Sequence, residues 1–332
     1  MDGTRWRHDS FTIRCNRASS PKGAFMTSRR STLTETLAQI SFGNPGHIVD
    51  QLITERGEKL VRNPAWPLLR PFLYSVFKYR QAIELADNLA GKSGFEAFTC
   101  LSDLLDLEIQ VRHAERIPRE GGFLLVPNHP TGIADGVAVF DLLKSIRPDM
   151  MFFANRDAIR VNPRFSEMII PVEWRQEHKT RGKARETLVL TNRAVQEGKA
   201  TVLFPSGRIA YWHEGKLTER PWKISAVSLA RKHNLTVVPV HVVSRNSGLF
   251  YWLAKHSTEL RDMTIFHELL NKKRQTFSFT IGHPISPDDL DGDPMDVTKA
   301  LEDHTVHALA ADSEVRFQPL PLPEQAQKQA AE

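Results

Sequence analysis

Short apolar runs punctuate the chain from residue 123 onward. Residues 123–126, 150–153, 169–172, 200–204, 237–243 and 277–281 are such runs, each flanked by turn-forming or charged residues. Their length and their β-branched and aromatic content predict buried strands. Helix-length segments of mixed polarity lie between them, and that alternation predicts an α/β fold: a mixed, largely parallel sheet flanked by helices. The clearest helix spans residues 179–197, where Ala184, Leu188, Thr191 and Val195 recur at helical spacing and Gly198 supplies a stop. Pro221 suits the first turn of a further helix reaching about Lys232.

The pattern also divides the chain. Residues 1–30 are basic and polar and are expected to be disordered, as is the Pro-rich, polar tail over 318–332. Residues 31–110 read as a helical N-terminal region, with two short pieces interrupted by Gly43, Pro45 and Gly46. Residues 111–290 read as the α/β domain and 291–317 as a C-terminal helix. Within the N-terminal region, residues 66–79 crowd Trp66, Leu68, Leu69, Phe72, Tyr74, Phe77 and Tyr79 around Arg70 and Lys78. Aromatics mixed with basic residues fit a helix lying in a membrane surface, and they fit equally a helix packed on the α/β domain. No apolar run is long enough to span a bilayer, and the first 25 residues lack the apolar core of a secretory signal. A peripheral protein on the cytoplasmic, inner face of a membrane is expected.

Composition narrows the partners. The 44 Lys and Arg exceed the 39 Asp and Glu, giving a net charge of +5, which favours an anionic ligand or lipid surface. Charges are dispersed, so no nucleic-acid arm is expected. The two cysteines, Cys15 and Cys100, form no CxxC pair, and no histidine spacing suggests a metal. Dinucleotide, P-loop and G-x-S-x-G signatures are absent from the sequence.

Candidate chemistry concentrates where the apolar runs end, the edge at which open α/β sheets bind ligands. The stretch FLLVPNHPTGIADG leaves its run at Pro127 and Asn128 and carries His129 and Asp135. A histidine in such a loop is able to accept a proton from a hydroxyl, and a carboxylate on its other nitrogen fixes the tautomer. The bland alternative is that His129 only caps the loop and Asp135 only starts a helix. LFPSGR places Ser206, Gly207 and Arg208 on a second turn, whose N–H groups and guanidinium suit an anion. FFANRDAIRVNPR spaces Arg156, Arg160 and Arg164 so that one helix would align them as a cationic stripe, for a phosphate, a pantetheine-phosphate arm or solvent. VVPVHVVSRNS ends in Arg245, either lining the site or on the surface.

Taken in order, NHPTGIAD, FFANRDAIR, LFPSGR and VVPVHVV resemble the four blocks of the glycerolipid acyltransferase superfamily, the lysophosphatidic acid acyltransferases and their relatives. The likeness covers about residues 111–284. It is nearest in detail to the branch described as hemolysin-like, through RNSGLFYWL, ELLNKK and IGHPI over 245–285; some relatives of that branch acylate lyso-ornithine lipid. The resemblance implies an O-acyltransferase without a cofactor. His129 would deprotonate the acceptor hydroxyl, Asp135 would support it, and Arg208 would hold the acceptor's anionic group. Asn128, Arg156, Arg160, Ser206, Gly207 and Arg245 would join the binding set. The donor would be a fatty acyl thioester on CoA or acyl carrier protein, and the acceptor a lyso-lipid of the lysophosphatidic acid or lyso-ornithine lipid kind. Two departures from the family pattern stand out: the His–Asp interval is one residue longer, and Ser206 occupies the position of a glutamate. A lipid-binding protein without turnover and an acyl-thioester hydrolase are the alternative readings.

Overall fold

The apolar runs assemble into one seven-stranded sheet. In this computed structural model, which describes residues 44, 46–173 and 175–320, the strands are β1 (Glu108–Arg112), β2 (Phe123–Pro127), β3 (Met151–Asn155), β4 (Ile169–Val172), β5 (Ala200–Val202), β6 (Tyr211–His213), β7 (Lys216–Thr218), β8 (Thr236–Val243) and β9 (Thr276–Ile281). The expectations for residues 1–30, for the helical piece before residue 44 and for 321–332 lie outside the described residues. The sheet order is β1-β9-β8-β2-β5-β3-β4, with β6 and β7 as a separate hairpin. Strand β2 runs parallel to both β5 and β8, whereas β8 and β9 are antiparallel. The fold is therefore the expected mixed, largely parallel sheet.

Position within the sheet follows from burial. Strand β2 is buried at every residue: Phe123 and Leu125 enter one core, Leu124 and Val126 the other. A strand apolar on both faces has no solvent side, so it takes the centre. Three strands escape the apolar-run pattern. In β1 exposed and half-buried residues alternate along Glu-Ile-Gln-Val-Arg, as suits an edge. The β6–β7 hairpin has three-residue strands and a two-residue Glu214–Gly215 turn with both φ positive, 46° and 76°.

Helices of five residues or more cover the sheet in layers. An N-terminal layer comprises α1 (Ile48–Arg56), α2 (Trp66–Val76) and α3 (Tyr79–Leu89). One sheet face is covered by α4 (Gly94–Leu105) and α5 (Ile133–Leu143). The short α6 (Asp157–Val161) follows β3, and α7 (Arg181–Gln196) lies against β4 and β5. On the opposite face is α8 (Ser225–His233); α9 (Gly248–His256), α10 (Thr258–Met263) and α11 (Ile265–Leu270) lead from β8 to β9, and α12 (Pro294–Asp303) packs beside α8.

Two local expectations are corrected. The inner face of α7 is Thr187, Leu190, Thr191 and Ala194, not the stripe of Ala184 and Leu188, which are exposed; Thr187 is drawn inward by its hydroxyl's 2.6 Å bond to the Pro171 carbonyl. Pro221 precedes α8 rather than opening it, because the Trp222 and Lys223 N–H groups are taken by Glu302 and the Pro205 carbonyl. The 66–79 segment is split between two environments. Trp66, Tyr74, Phe77 and Tyr79 are buried in a satellite core with α1, Met263 and Phe266, while Leu68 (83% exposed) and Phe72 (68% exposed) face outward. The Tyr74 hydroxyl donates to Asp50 at 2.7 Å, and the buried Arg56 pairs with Asp157 at 2.7 Å, fastening this layer to the β3 end of the sheet.

Candidate active site

The C-terminal end of β2 opens between its neighbours β5 and β8, and the loop leaving it is fixed residue by residue. The Asn128 side chain closes a two-way bond with the β8 backbone, donating to the Val242 carbonyl at 3.0 Å and accepting from its N–H at 2.6 Å. Its amide is thereby committed to holding the loop against the sheet. His129 comes next, partly exposed, with its ring stacked on Phe204 at 4.3 Å. Its Nδ1 lies 2.9 Å from Asp135 Oδ2, at ion-pair distance.

Asp135 has two duties. It is fully buried in the first turn of α5, and its Oδ2 also accepts the N–H groups of Thr131 (2.8 Å) and Gly132 (2.9 Å), while Oδ1 accepts the Thr131 hydroxyl. The carboxylate thus caps the helix and addresses the imidazole together. Within the His–Asp interval Gly132 takes a φ of 89°, open to glycine and strained for other residues. A Cβ there would also lie 2.7 Å from Ile209 Cδ1.

The second turn faces the first. Ser206 is buried and its hydroxyl donates to the Arg208 carbonyl at 2.9 Å; Gly207 takes a φ of 59°. Arg208 is exposed, and Lys223 lies close by, 3.1 Å from where a Gly207 side chain would begin. Burial, then the charges of Lys179 and Arg208, lower the Lys223 pKa. None of these three cations has an ion-pair partner among the described residues. Unneutralised like charges brought together from three segments around this turn form a receptive site for an anion.

Sequence spacing gave no sign of Glu219. It leaves β7 with 9% of its surface exposed, and both its carboxylate oxygens accept the His129 N–H at 3.2 Å. Burial raises its pKa to about 6, against the opposing pull of a Ser206 hydrogen bond and His129. A carboxylate therefore stands beside Ser206 after all, brought by a separate hairpin. The only sequence signal for it was the Glu214–Gly215 turn, a two-residue hairpin pattern.

The remaining arginines lie elsewhere. Arg156 pairs with Glu186 at 2.7 Å, and Arg160 makes a bidentate contact with Glu55 at 2.7 and 2.8 Å. The helix that would have aligned them with Arg164 stops at Asn162, which precedes a proline and adopts an extended conformation (φ −143°). The Asn162 amide then binds the Leu89 and Lys92 carbonyls, and Arg164 pairs with Glu167 in the next turn. No single stripe results. Arg245 is exposed just past β8. Among the described residues no group of three His, Cys, Asp or Glu is placed to hold a metal ion.

With Nδ1 turned to Asp135, Nε2 is the imidazole nitrogen left to act as base, and the Arg208 turn is tied to the same histidine by the Phe204 stack and the Ala210 N–H. That arrangement suits removal of a proton from a hydroxyl on an anionic molecule. Residues 108–243 match the Acyltransferase family. A lyso-glycine lipid O-acyltransferase from Phocaeicola vulgatus is 26% identical over 201 residues, 58% of this chain and 70% of the relative. One from Bacteroides thetaiotaomicron is 26% identical over 200 residues, 58% of this chain and 72% of the relative. The crystal structure of the 1-acyl-sn-glycerophosphate (LPA) acyltransferase PlsC from Thermotoga maritima aligns with a TM-score of 0.42 at 16% identity, covering 84% of this chain and 91% of that one.

Proposed function

We propose that this O-acyltransferase, a member of the glycerolipid and lysophospholipid acyltransferase superfamily, moves a fatty acyl group from a CoA or acyl carrier protein thioester to the free hydroxyl of a lyso-lipid with an amino-acid headgroup. The observation that carries this reading is the His129–Asp135 pair, 2.9 Å apart at the open end of β2, beside a turn where Arg208 and Lys223 come together. His129 Nε2 takes the hydroxyl proton as the oxygen attacks the thioester carbonyl carbon. The tetrahedral oxyanion collapses, the C–S bond breaks, and the thiolate recovers the proton from the imidazolium. Arg208 and Lys223 hold the acceptor's headgroup anion. The amino-acid class is preferred to lysophosphatidic acid because the two similar proteins are lyso-glycine lipid O-acyltransferases.

The test presents purified protein and labelled acyl-CoA or acyl carrier protein with lyso-glycine lipid, lyso-ornithine lipid and lysophosphatidic acid. The reading expects kcat/KM to be highest for an amino-acid acceptor, and a preference for lysophosphatidic acid would refute the headgroup assignment. Label released equally with and without acceptor would favour a hydrolase, and binding without release a lipid-binding protein.

Access to an amphiphilic acceptor is assigned to the outer face of α2. Leu68, Leu69 and Phe72 project from a helix whose other face is anchored in the satellite core. That geometry suits shallow burial in one leaflet. No helix among the described residues is long and apolar enough to cross a membrane.

A further inference from the structure

We propose that Glu219 is a positioning residue for His129, and that the β6–β7 hairpin is the clasp that delivers it. The inference rests on His129 being the base. Both legs of the hairpin end on the same residue. Ala210, just before β6, donates its N–H to the His129 carbonyl at 2.9 Å, and Glu219, just after β7, accepts the His129 N–H. The peptide groups on either side of the histidine are therefore held by one element remote in sequence.

The hairpin is fastened outward at one point and braced across its own legs at another. Trp212 packs on Tyr251 of α9 at 5.8 Å, and Arg220 lies 3.6 Å over the Tyr211 ring. A clasp that only needed a hydrogen-bond acceptor could use a neutral amide. Burying a carboxylate in a site that already holds Asp135 is unfavourable, as its pKa near 6 reflects. The negative charge offsets that cost by favouring the imidazolium that forms at His129 during transfer, since opposite charges in a shielded site attract strongly. Asp135 holds the ring from Nδ1 and Glu219 holds the backbone, so the base is fixed at two ends.

Glu219→Gln and Glu219→Ala separate charge from hydrogen bond. The glutamine retains an acceptor for the His129 N–H but cannot ionise. It is expected to lower kcat about tenfold with KM unchanged, the scale of one charge-assisted hydrogen bond, and alanine is expected to lower it further. The decisive readout is the acid limb of log kcat/KM. In the wild type the base His129 must be unprotonated and protonation of Glu219 costs the same tenfold as the glutamine, so as pH falls through about 6 the limb drops more steeply than in Glu219→Gln until the two differ no further. Folding is checked by melting across pH. A carboxyl whose folded pKa is raised stabilises the protein most below its unfolded value and loses that contribution as pH rises through about 6. Glu219→Gln should therefore melt no lower than wild type at pH 7. An unchanged limb in Glu219→Gln, or wild-type kcat in Glu219→Ala, overturns the proposal. If His129→Ala retains activity, the underlying reading fails instead.

Discussion

The loop that leaves β2 and the helical layer ahead of the sheet are both unusual stretches, built in opposite ways. Around His129, polar side chains address backbone groups: Asn128 on Val242, Asp135 on Thr131 and Gly132, Glu219 on His129 itself. In the α1–α3 layer, aromatic faces do the holding, with Tyr74 stacked on Tyr79 at 4.2 Å and Trp66 edge-on at 6.1 Å. Directional bonds fix one geometry, whereas stacked rings anchor one face and leave the other available. The lesson is a division of construction in which the first region holds one geometry and the second anchors one face while presenting the other, and the proposed reading gives rate to the first and membrane placement to the second.

The largest effect expected from breaking that division is at Asp135. Asp135→Asn keeps shape but removes the charge that stabilises the imidazolium, and kcat should fall by about 10² to 10⁴, measured with saturating acceptor in detergent. Vesicle association should not change. Conversely, Leu68→Ser with Phe72→Ser should weaken partition to anionic vesicles by about 10²-fold, on the scale of 1.5 kcal/mol or more per buried apolar side chain. Their kcat in detergent should match wild type, and flotation is the measurement. Unaltered flotation would remove α2 as the contact.

Smaller effects sharpen the picture within each region. Arg208→Ala with Lys223→Ala should raise KM for an anionic acceptor about tenfold, with kcat preserved and the difference shrinking as salt rises. At the seam between the regions, Arg160 and Arg175 draw the Glu55 pKa down to about 2. A lowered carboxylate pKa means the contact stabilises the fold above about pH 4.5 and is lost as pH falls towards 2. Because the pair is partly solvent-screened, Glu55→Gln should destabilise by only about 1 kcal/mol at pH 7, and by less at pH 3, in denaturant melts.

Much of this could be read in the sequence because of where apolar side chains fall. Strands buried on both faces announce themselves, and the His129 and Arg208 turns follow two of them. Edge strand β1 and the hairpin did not, since half-exposed or three-residue strands carry little apolar signal. The α7 face is rotated from the expected stripe because the Thr187 hydroxyl, bonded to Pro171, turns inward together with Leu190 and leaves Leu188 outside. Trp66 and Phe77 share one composition with Leu68 and Phe72, and only helical geometry sends them to opposite sides. Glu219 was illegible for a different reason: its partner is chosen by hairpin closure, which no local spacing encodes.

The central claim is that His129 activates an acceptor hydroxyl, and single-turnover release of thiol from labelled acyl donor tests it most directly. Wild type with lyso-lipid should release thiol and form the ester product in equal amounts. His129→Ala should lose at least about 10³-fold in that rate while melting as wild type does. Unimpaired ester formation by a folded His129→Ala protein would contradict the account.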